Sequence, residues 1–161
     1  MDIFAEFVIR GSPTKLFPEM DAEFMEIRKF EEKDKAEVCQ LWHSVFSDDP
    51  PHNEPTKVID AKMKVQRELF FIAVSNDKII GTVMAGYDGH RGWLYSVAVA
   101  PDSRRTGVGS HLVKHAVDAL RQIGCVKVNL QVRATNTQVI AFYESLGFST
   151  EERVSMGKLL I

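Results

Sequence analysis

A chain of 161 residues with 45% hydrophobic and 26% charged side chains has the length and balance of one globular domain with a core of its own. Its formal charge of −2 excludes the broad cationic footprint of a nucleic-acid binder. Cys39 and Cys125 are too few for a disulfide framework and form no C-x-x-C pair, so both read as core residues and no cysteine-based zinc site is expected.

No apolar run approaches the ~20 residues of a membrane-spanning helix. Asp2 and Glu6 stand where a secretory leader would be cationic, so a cytoplasmic protein without membrane contact is expected. Residues 1–24 carry Gly11, Pro13 and Pro18, which break every periodicity, and read as an extension or leader ahead of a domain over 25–161. From Met25 the pattern becomes regular. MEIRKF predicts a strand. Asp34 with Glu37 three residues on gives a capping-box-like start to a helix carrying Val38, Leu41, Trp42, Val45 and Phe46. The Pro-rich break SDDPPHNEP precedes a second helix, capped at Thr56, with Val58, Ile59 and Met63. LFFIAVS, IIGTVMAGY and WLYSVAV predict three strands joined by the tight turns SNDK and DGHRG. A long helix follows from Gly107 to Ile123, with Val108, Leu112, Ala116 and Leu120 on one face and Gly124 ending it. VKVNLQV predicts a strand, TQVIAFYESLG a helix, and a final strand pair closes the chain. Short turns imply antiparallel pairing and the strand–helix–strand unit from Trp93 to Val132 implies parallel pairing. The expected fold is mixed α/β: one twisted, mostly antiparallel sheet with a parallel β-α-β centre and about four helices.

The stretch RRTGVGSHLVKHAV, positions 104–117, places two glycines after a strand and at the mouth of a helix. The first helical turn leaves backbone N–H groups without partners, the helix dipole adds positive charge, and glycines remove the side chains that would keep a phosphate away. Arg104 and Arg105 add cationic reach, so a diphosphate is the natural guest. A Walker loop is excluded by spacing and by the missing lysine. A dinucleotide fingerprint is excluded because Leu112 occupies its third glycine position and Asn129 stands where its acidic residue belongs.

The pattern R-x-x-G-x-G preceded by V-A-V-A-P resembles the coenzyme A pyrophosphate loop of the GNAT superfamily of acetyltransferases. A second segment, VRATNTQVIAFYESLGF at 132–148, is similar to the run in which these enzymes place a coenzyme-contacting Asn and a catalytic Tyr, above all in ribosomal-protein N-terminal acetyltransferases. The middle, GTVMAGYDGHRGWLYSVAV, looks more like small bacterial acetyltransferases of undefined acceptor. The resemblance covers Met25 to about Phe148. It implies that Val97, Ala98 and Val99 line the acetyl-pantetheine arm, that one N–H of that strand polarises the thioester carbonyl, and that Arg105, Thr106, Gly107, Val108, Gly109 and Ser110 supply the pyrophosphate donors. It further implies that Asn136 contacts the coenzyme and that Tyr143 protonates the departing thiolate. An N-cap role for Asn136 and a packed aromatic role for Tyr143 are the structural alternatives.

One departure stands out. Ribosomal-protein acetyltransferases carry a glutamate proton acceptor where this chain has Gln131, and an amide cannot act as that base. Tyr95, two residues before Val97 and therefore expected on the same face, is the first candidate base, followed by His90 and Asp88 in the YDGHRG turn. His52 and Glu54 lie in the loop between the first two helices, where Asp48 and Asp49 make an acidic stretch suited to a cationic amine; a solvated loop is the plainer reading. The five His show no metal-ligand spacing. The expected activity is acetyl-CoA-dependent N-acetyl transfer to an amine or peptide N-terminus, by direct attack and without a metal, in a monomer or homodimer. A non-catalytic acyl-CoA-binding sensor is the alternative.

Overall fold

The computed structural model describes residues 25–47 and 49–160; the expected extension 1–24 and Asp48 of the acidic loop lie outside them. Five strands form one sheet: β1 (Met25–Lys29), β2 (Phe70–Ser75), β3 (Lys78–Tyr87), β4 (Gly92–Val99) and β5 (Val128–Asn129). They lie in chain order, antiparallel from β1 to β4, with β5 parallel to β4. Helices α1 (Lys35–Val45) and α2 (Pro55–Lys62) cover one face, and α3 (Val108–Gln122) and α4 (Thr137–Ser145) the other. The mixed α/β class and the parallel β4–α3–β5 unit match the expectation.

β2 shows why the sheet is buried on both faces. In FFIAVS, Phe70 and Ile72 point into the cluster under α1 and α2, with Phe30, Val38, Trp42 and Ile59. Phe71 and Ala73 point into the cluster under α3, with Val83, Leu94, Val113, Ala116 and Leu120. Val108, Leu112, Val113, Ala116 and Leu120 are all buried, the stripe of an amphipathic helix, and each large side chain contributes roughly 2 kcal/mol by leaving water. Gly124, at φ +87, ends α3 in the left-handed region, and the Gly124 and Cys125 N–H groups donate to the Arg121 and Leu120 carbonyls.

Several local expectations are corrected. The capping box belongs to Glu31 and Asp34 around a short 3-10 turn, because Asp34 is spoken for: it is buried, takes a bidentate ion pair from Arg28 (2.7 and 2.8 Å), and accepts from the Glu31 N–H. Glu37 instead accepts from the Ile79 N–H of β3 at 2.6 Å. Glu54, not Thr56, caps α2, accepting from the Thr56 and Lys57 N–H groups, with Pro55 at the first helical position. VKVNLQV is paired only at Val128 and Asn129. Its alternation reports Val128, Leu130 and Val132 packing on the core, and a period of two specifies which face is apolar without requiring a hydrogen-bonded ladder. No strand forms over residues 149–160, where Val154, Met156 and Leu160 are more than four-fifths exposed and so gain no burial from an extended pairing. That segment is tied back by a Lys127–Glu151 ion pair and by Gln131 Nε2 donating to Ser155 Oγ at 2.7 Å.

Candidate active site

The site is organised by an irregularity in β4. Thr82 pairs with Ala98 and Met84 with Tyr95, so Ser96 and Val97 together oppose Val83. This is a bulge, and Ser96 takes φ +50 to make it. The extra residue reverses the faces of the strand. Leu94 points into the α3 cluster before the bulge; after it Val97 and Val99 do, while Ala98 points into the α1–α2 cluster. Tyr95 therefore does not share a face with Val97, contrary to the expectation from strict alternation. Its ring faces α2 instead, where Lys62 meets it. Buried Thr82 clamps the bulge from the α1 side, its hydroxyl accepting from Trp42 Nε1 at 2.8 Å and donating to the Ser96 carbonyl at 3.0 Å.

Past Trp93, ahead of the bulge, the two parallel strands separate. β4 and β5 pair only at Gly92–Val128 and Trp93–Asn129, so the β5-facing backbone groups from Leu94 to Val99 have no ladder partner. A cleft of about 1600 Å³ opens there. Its walls include Tyr95, Val97 and Val99 of β4, Arg104, Arg105, Gly107, Gly109 and Ser110 at the start of α3, Gln131 after β5, and Asn136 and Tyr143 at α4. Ten of the expected site residues thus converge on one cavity from three separate stretches of chain, with Gln131 joining them from a fourth. Ala98, Thr106 and Val108 do not line it. Ala98 and Val108 are core residues, and the Thr106 hydroxyl closes the turn by donating to the Ser103 carbonyl at 2.7 Å.

Gly107, at φ +89, is the N-cap of α3 and supplies no side-chain acceptor. The first α3 amide to reach a helical carbonyl is His111, bonded to Gly107 at 3.0 Å, which leaves those of Val108, Gly109 and Ser110 available to an outside acceptor. Arg105, itself at φ +64, and Arg104, whose Nε donates to the Val99 carbonyl at 3.4 Å, flank this N-terminus. The cradle therefore fits a diphosphate. Gly109 also governs packing, since a Cβ there would stand 3.2 Å from Phe142 Cζ; the glycine lets α4 close onto α3.

α4 delivers the other two groups. The Asn136 side chain accepts from the Val139 N–H at 3.3 Å, so it is the helix cap, and the residue also borders the cleft. Tyr143 packs edge-on against Phe142 and Phe148. It is 8% exposed, and burial pushes its phenol up to about 12, which keeps it a proton donor across the working range. Gln131 borders the cleft with its amide given to Ser155.

Other sequence candidates have structural work. Asp88 holds the β3–β4 turn, accepting from the His90 and Arg91 N–H groups at 2.7 and 2.6 Å, and these bonds keep its carboxyl below the usual range. His90 sits in that turn and, like His52, lies outside the cleft walls. Glu54 is held low by the α2 amides it caps, and Asp49 faces Arg133 at 3.6 Å, so the described part of the acidic loop is largely engaged. Among the described residues no group of three His, Cys, Asp or Glu gathers to hold a metal, and no helix is long and apolar enough to cross a membrane. Thr82 and Lys62 were missed in the sequence. Nothing local marks a Thr inside an apolar strand or a Lys at a helix end as special.

Comparison with known proteins identifies the class that this sheet, glycine turn and cleft define. The chain belongs to the acetyltransferase (GNAT) family, whose model matches residues 35–148. It is an N-acetyltransferase by that membership. An acetyltransferase of Yersinia pseudotuberculosis is 41% identical over 138 residues, 85% of this chain and 96% of that one. The ribosomal-protein-S18-alanine N-acetyltransferase of Escherichia coli is 29% identical with a TM-score of 0.67, covering 78% of this chain and 77% of that one. AAC(6')-Iy in complex with the bisubstrate analog CoA-S-monomethyl-acetylneamine is 21% identical with a TM-score of 0.68, covering 85% of this chain and 99% of that one, and shares the fold.

Proposed function

We propose that the protein transfers an acetyl group from acetyl-CoA to a primary amine, by direct attack while both reactants are bound. The observation that carries this reading is the single cleft joining an uncapped α3 N-terminus, the open edge of β4 and the buried phenol of Tyr143. The Val108, Gly109 and Ser110 amides with Arg104 and Arg105 would hold the pyrophosphate. The unpaired β4 edge would pair the pantetheine arm as if it were an added strand, with one N–H directed at the thioester oxygen, where charge accumulates. Tyr143 would give its proton to the sulfur as the carbon–sulfur bond breaks. Buried Cys125 and Cys39 of α1 both lie outside the cleft walls, so no thiol serves as an acyl relay.

The bulge gives the reactants separate approaches. Tyr143 belongs to the α3 face and Tyr95 to the α2 face, so an amine arriving beside Tyr95 meets the thioester from the side opposite the leaving group's proton donor. The S18 alanine acceptor in the Escherichia coli relative's name is not extended to this chain, because Gln131 supplies no carboxylate.

Thermal unfolding with acetyl-CoA, NAD and ATP, followed by coenzyme release with a panel of polyamines, aminoglycosides and alanyl peptides, tests the reading. Acetyl-CoA at 100 times its Kd adds about 2.7 kcal/mol, and NAD and ATP add nothing. Tyr143→Phe keeps that shift and loses about 100-fold in turnover. A shift with NAD or ATP alone, or unimpaired turnover in Tyr143→Phe, refutes it.

A further inference from the structure

Lys62, the last residue of α2, is 6% exposed, and among the described residues no carboxylate comes within ion-pair distance of its ammonium. A buried lysine without a counter-charge is costly, and an aliphatic side chain of the same length would fill the space without that cost. What the nitrogen does is therefore specific to a nitrogen. Nζ donates to the Ala85 carbonyl of β3 and, at 3.3 Å, to the Tyr95 hydroxyl, which itself donates to the same carbonyl at 3.5 Å; Nζ lies 5.7 Å from the centre of the Tyr95 ring. The neighbouring Gln66 amide is engaged by the Tyr87 backbone, its oxygen accepting from the Tyr87 N–H and its nitrogen donating to the Tyr87 carbonyl. Gly86 keeps the place open, since a Cβ there would stand 3.1 Å from the Tyr95 hydroxyl. Tyr95 is thus 40% exposed on the cleft side and plugged into Lys62 at its far end.

We propose that Tyr95 and Lys62 form a proton relay that removes the surplus proton from the attacking amine. This rests on the acetyl-transfer reading and supplies the base that Gln131 cannot be. The proton balance is complete. As the carbon–nitrogen bond forms, the amine proton passes to the Tyr95 oxygen, directly or across one water, while the phenolic proton, turned from the Ala85 carbonyl toward Lys62, passes to the lone pair of neutral Nζ. The thiolate receives its proton from Tyr143. Solvent then deprotonates Lys62 and reprotonates Tyr143, leaving amide and thiol.

Two further facts fit. Burial pushes the Tyr95 phenol up, so it is no base by itself and needs an acceptor behind it. Burial also pulls Lys62 down to about 8, so the neutral amine is available slightly above neutrality. Tyr95 from β4 and, at longer range, the Glu68 carboxylate from the turn before β2 are the ionisable groups acting on Lys62. Tyr95 is the group that meets substrate, and Lys62 is a positioning residue acting through it.

The test is kcat/KM against pH for the parent, Lys62→Met, Tyr95→Phe and the double variant, using acetyl-CoA and the fastest amine of the panel. The parent shows an acidic limb near the Lys62 value. Each single variant loses about 100-fold at pH 8 and keeps only the limb of the free amine, the double variant is no worse than either, and the acetyl-CoA shift in unfolding is unchanged. Nζ titration by NMR of lysine-labelled parent protein shows one ammonium titrating near 8, and this reads the pair even where Lys62→Met does not fold. Single variants within about 3-fold of the parent, or a parent in which every lysine titrates above 10, overturn the relay while leaving acetyl transfer standing. A parent that binds acetyl-CoA but acetylates no amine overturns the transfer reading and the relay with it.

Discussion

Exchanging Thr82 for valine removes a hydroxyl and leaves the volume nearly unchanged, so its effect isolates the clamp on the β4 bulge. In the folded protein that hydroxyl accepts from Trp42 Nε1 and donates to the Ser96 carbonyl, with Thr82 and Trp42 both buried. The valine variant strands the indole N–H, at about 1–3 kcal/mol, and forfeits the bond to Ser96, at about 0.5–1.5 kcal/mol. A total of about 2–4 kcal/mol lowers the unfolding midpoint by roughly 5–15 °C in a protein of this size. Thr82→Ser keeps both bonds and loses one methyl group, about 1 kcal/mol. Calorimetric unfolding of the three proteins separates the two contributions. The valine variant also weakens acetyl-CoA stabilisation, because Ser96 is no longer held in its left-handed conformation. A valine variant within about 0.5 kcal/mol of the parent shows that the bulge holds itself, and the reasoning fails.

Gly107→Ala places a side chain at φ +89 and about 3.4 Å from His111; it costs roughly 1–2 kcal/mol in unfolding and weakens acetyl-CoA binding in calorimetric titration more than binding of amines. Because burial raises the Tyr143 phenol to about 12, kcat shows no alkaline limb from its ionisation up to about pH 10.5; a limb near 9 that vanishes in Tyr143→Phe contradicts this. Burial alone would raise the Asp34 carboxyl, but Arg28 and the Glu31 amide together hold it below its ordinary value. Its folded value is depressed, so its contribution is complete above the unfolded value of about 3.9 and fades as pH falls through the folded one. Asp34→Asn accordingly loses about 2–3 kcal/mol at pH 7 in urea unfolding, and the deficit narrows below pH 4.

What could be read in the sequence was what local chemistry dictates. The Gly107–Gly109 turn announces an uncapped helix start because glycine offers no cap, and Asn136 and Tyr143 sit on a helix whose period is plain. The bulge could not be read, because strict alternation in WLYSVAV is what a regular strand would show; the interruption is fixed by Thr82 on the neighbouring strand and Trp42 on a helix 40 residues earlier. Lys62 was illegible for a related reason. At the polar end of an amphipathic helix a lysine reads as solvated, and only the crossing of β3 and β4 beneath α2 buries it. The acidic loop stayed open between a lure for cations and a plain solvated loop, because no local signal tells that Glu54 caps a helix and Asp49 faces an arginine while both border the cleft.

The reversal of side-chain faces at Ser96 divides the molecule's surface into two territories. Residues that would grip the nucleotide end of the donor lie at the start of α3 and along α4, whereas those that would meet the acceptor belong to the α1–α2 side; the two sets pack in separate apolar clusters on opposite faces of the sheet and meet only around the cleft, where Asp49 faces Arg133. On the proposed reading, substitutions on the α2 side of β4, around Tyr95, would change which amine is met while leaving the α3 cradle of the donor untouched. A lineage built on this sheet can explore new substrates by changing one territory at a time.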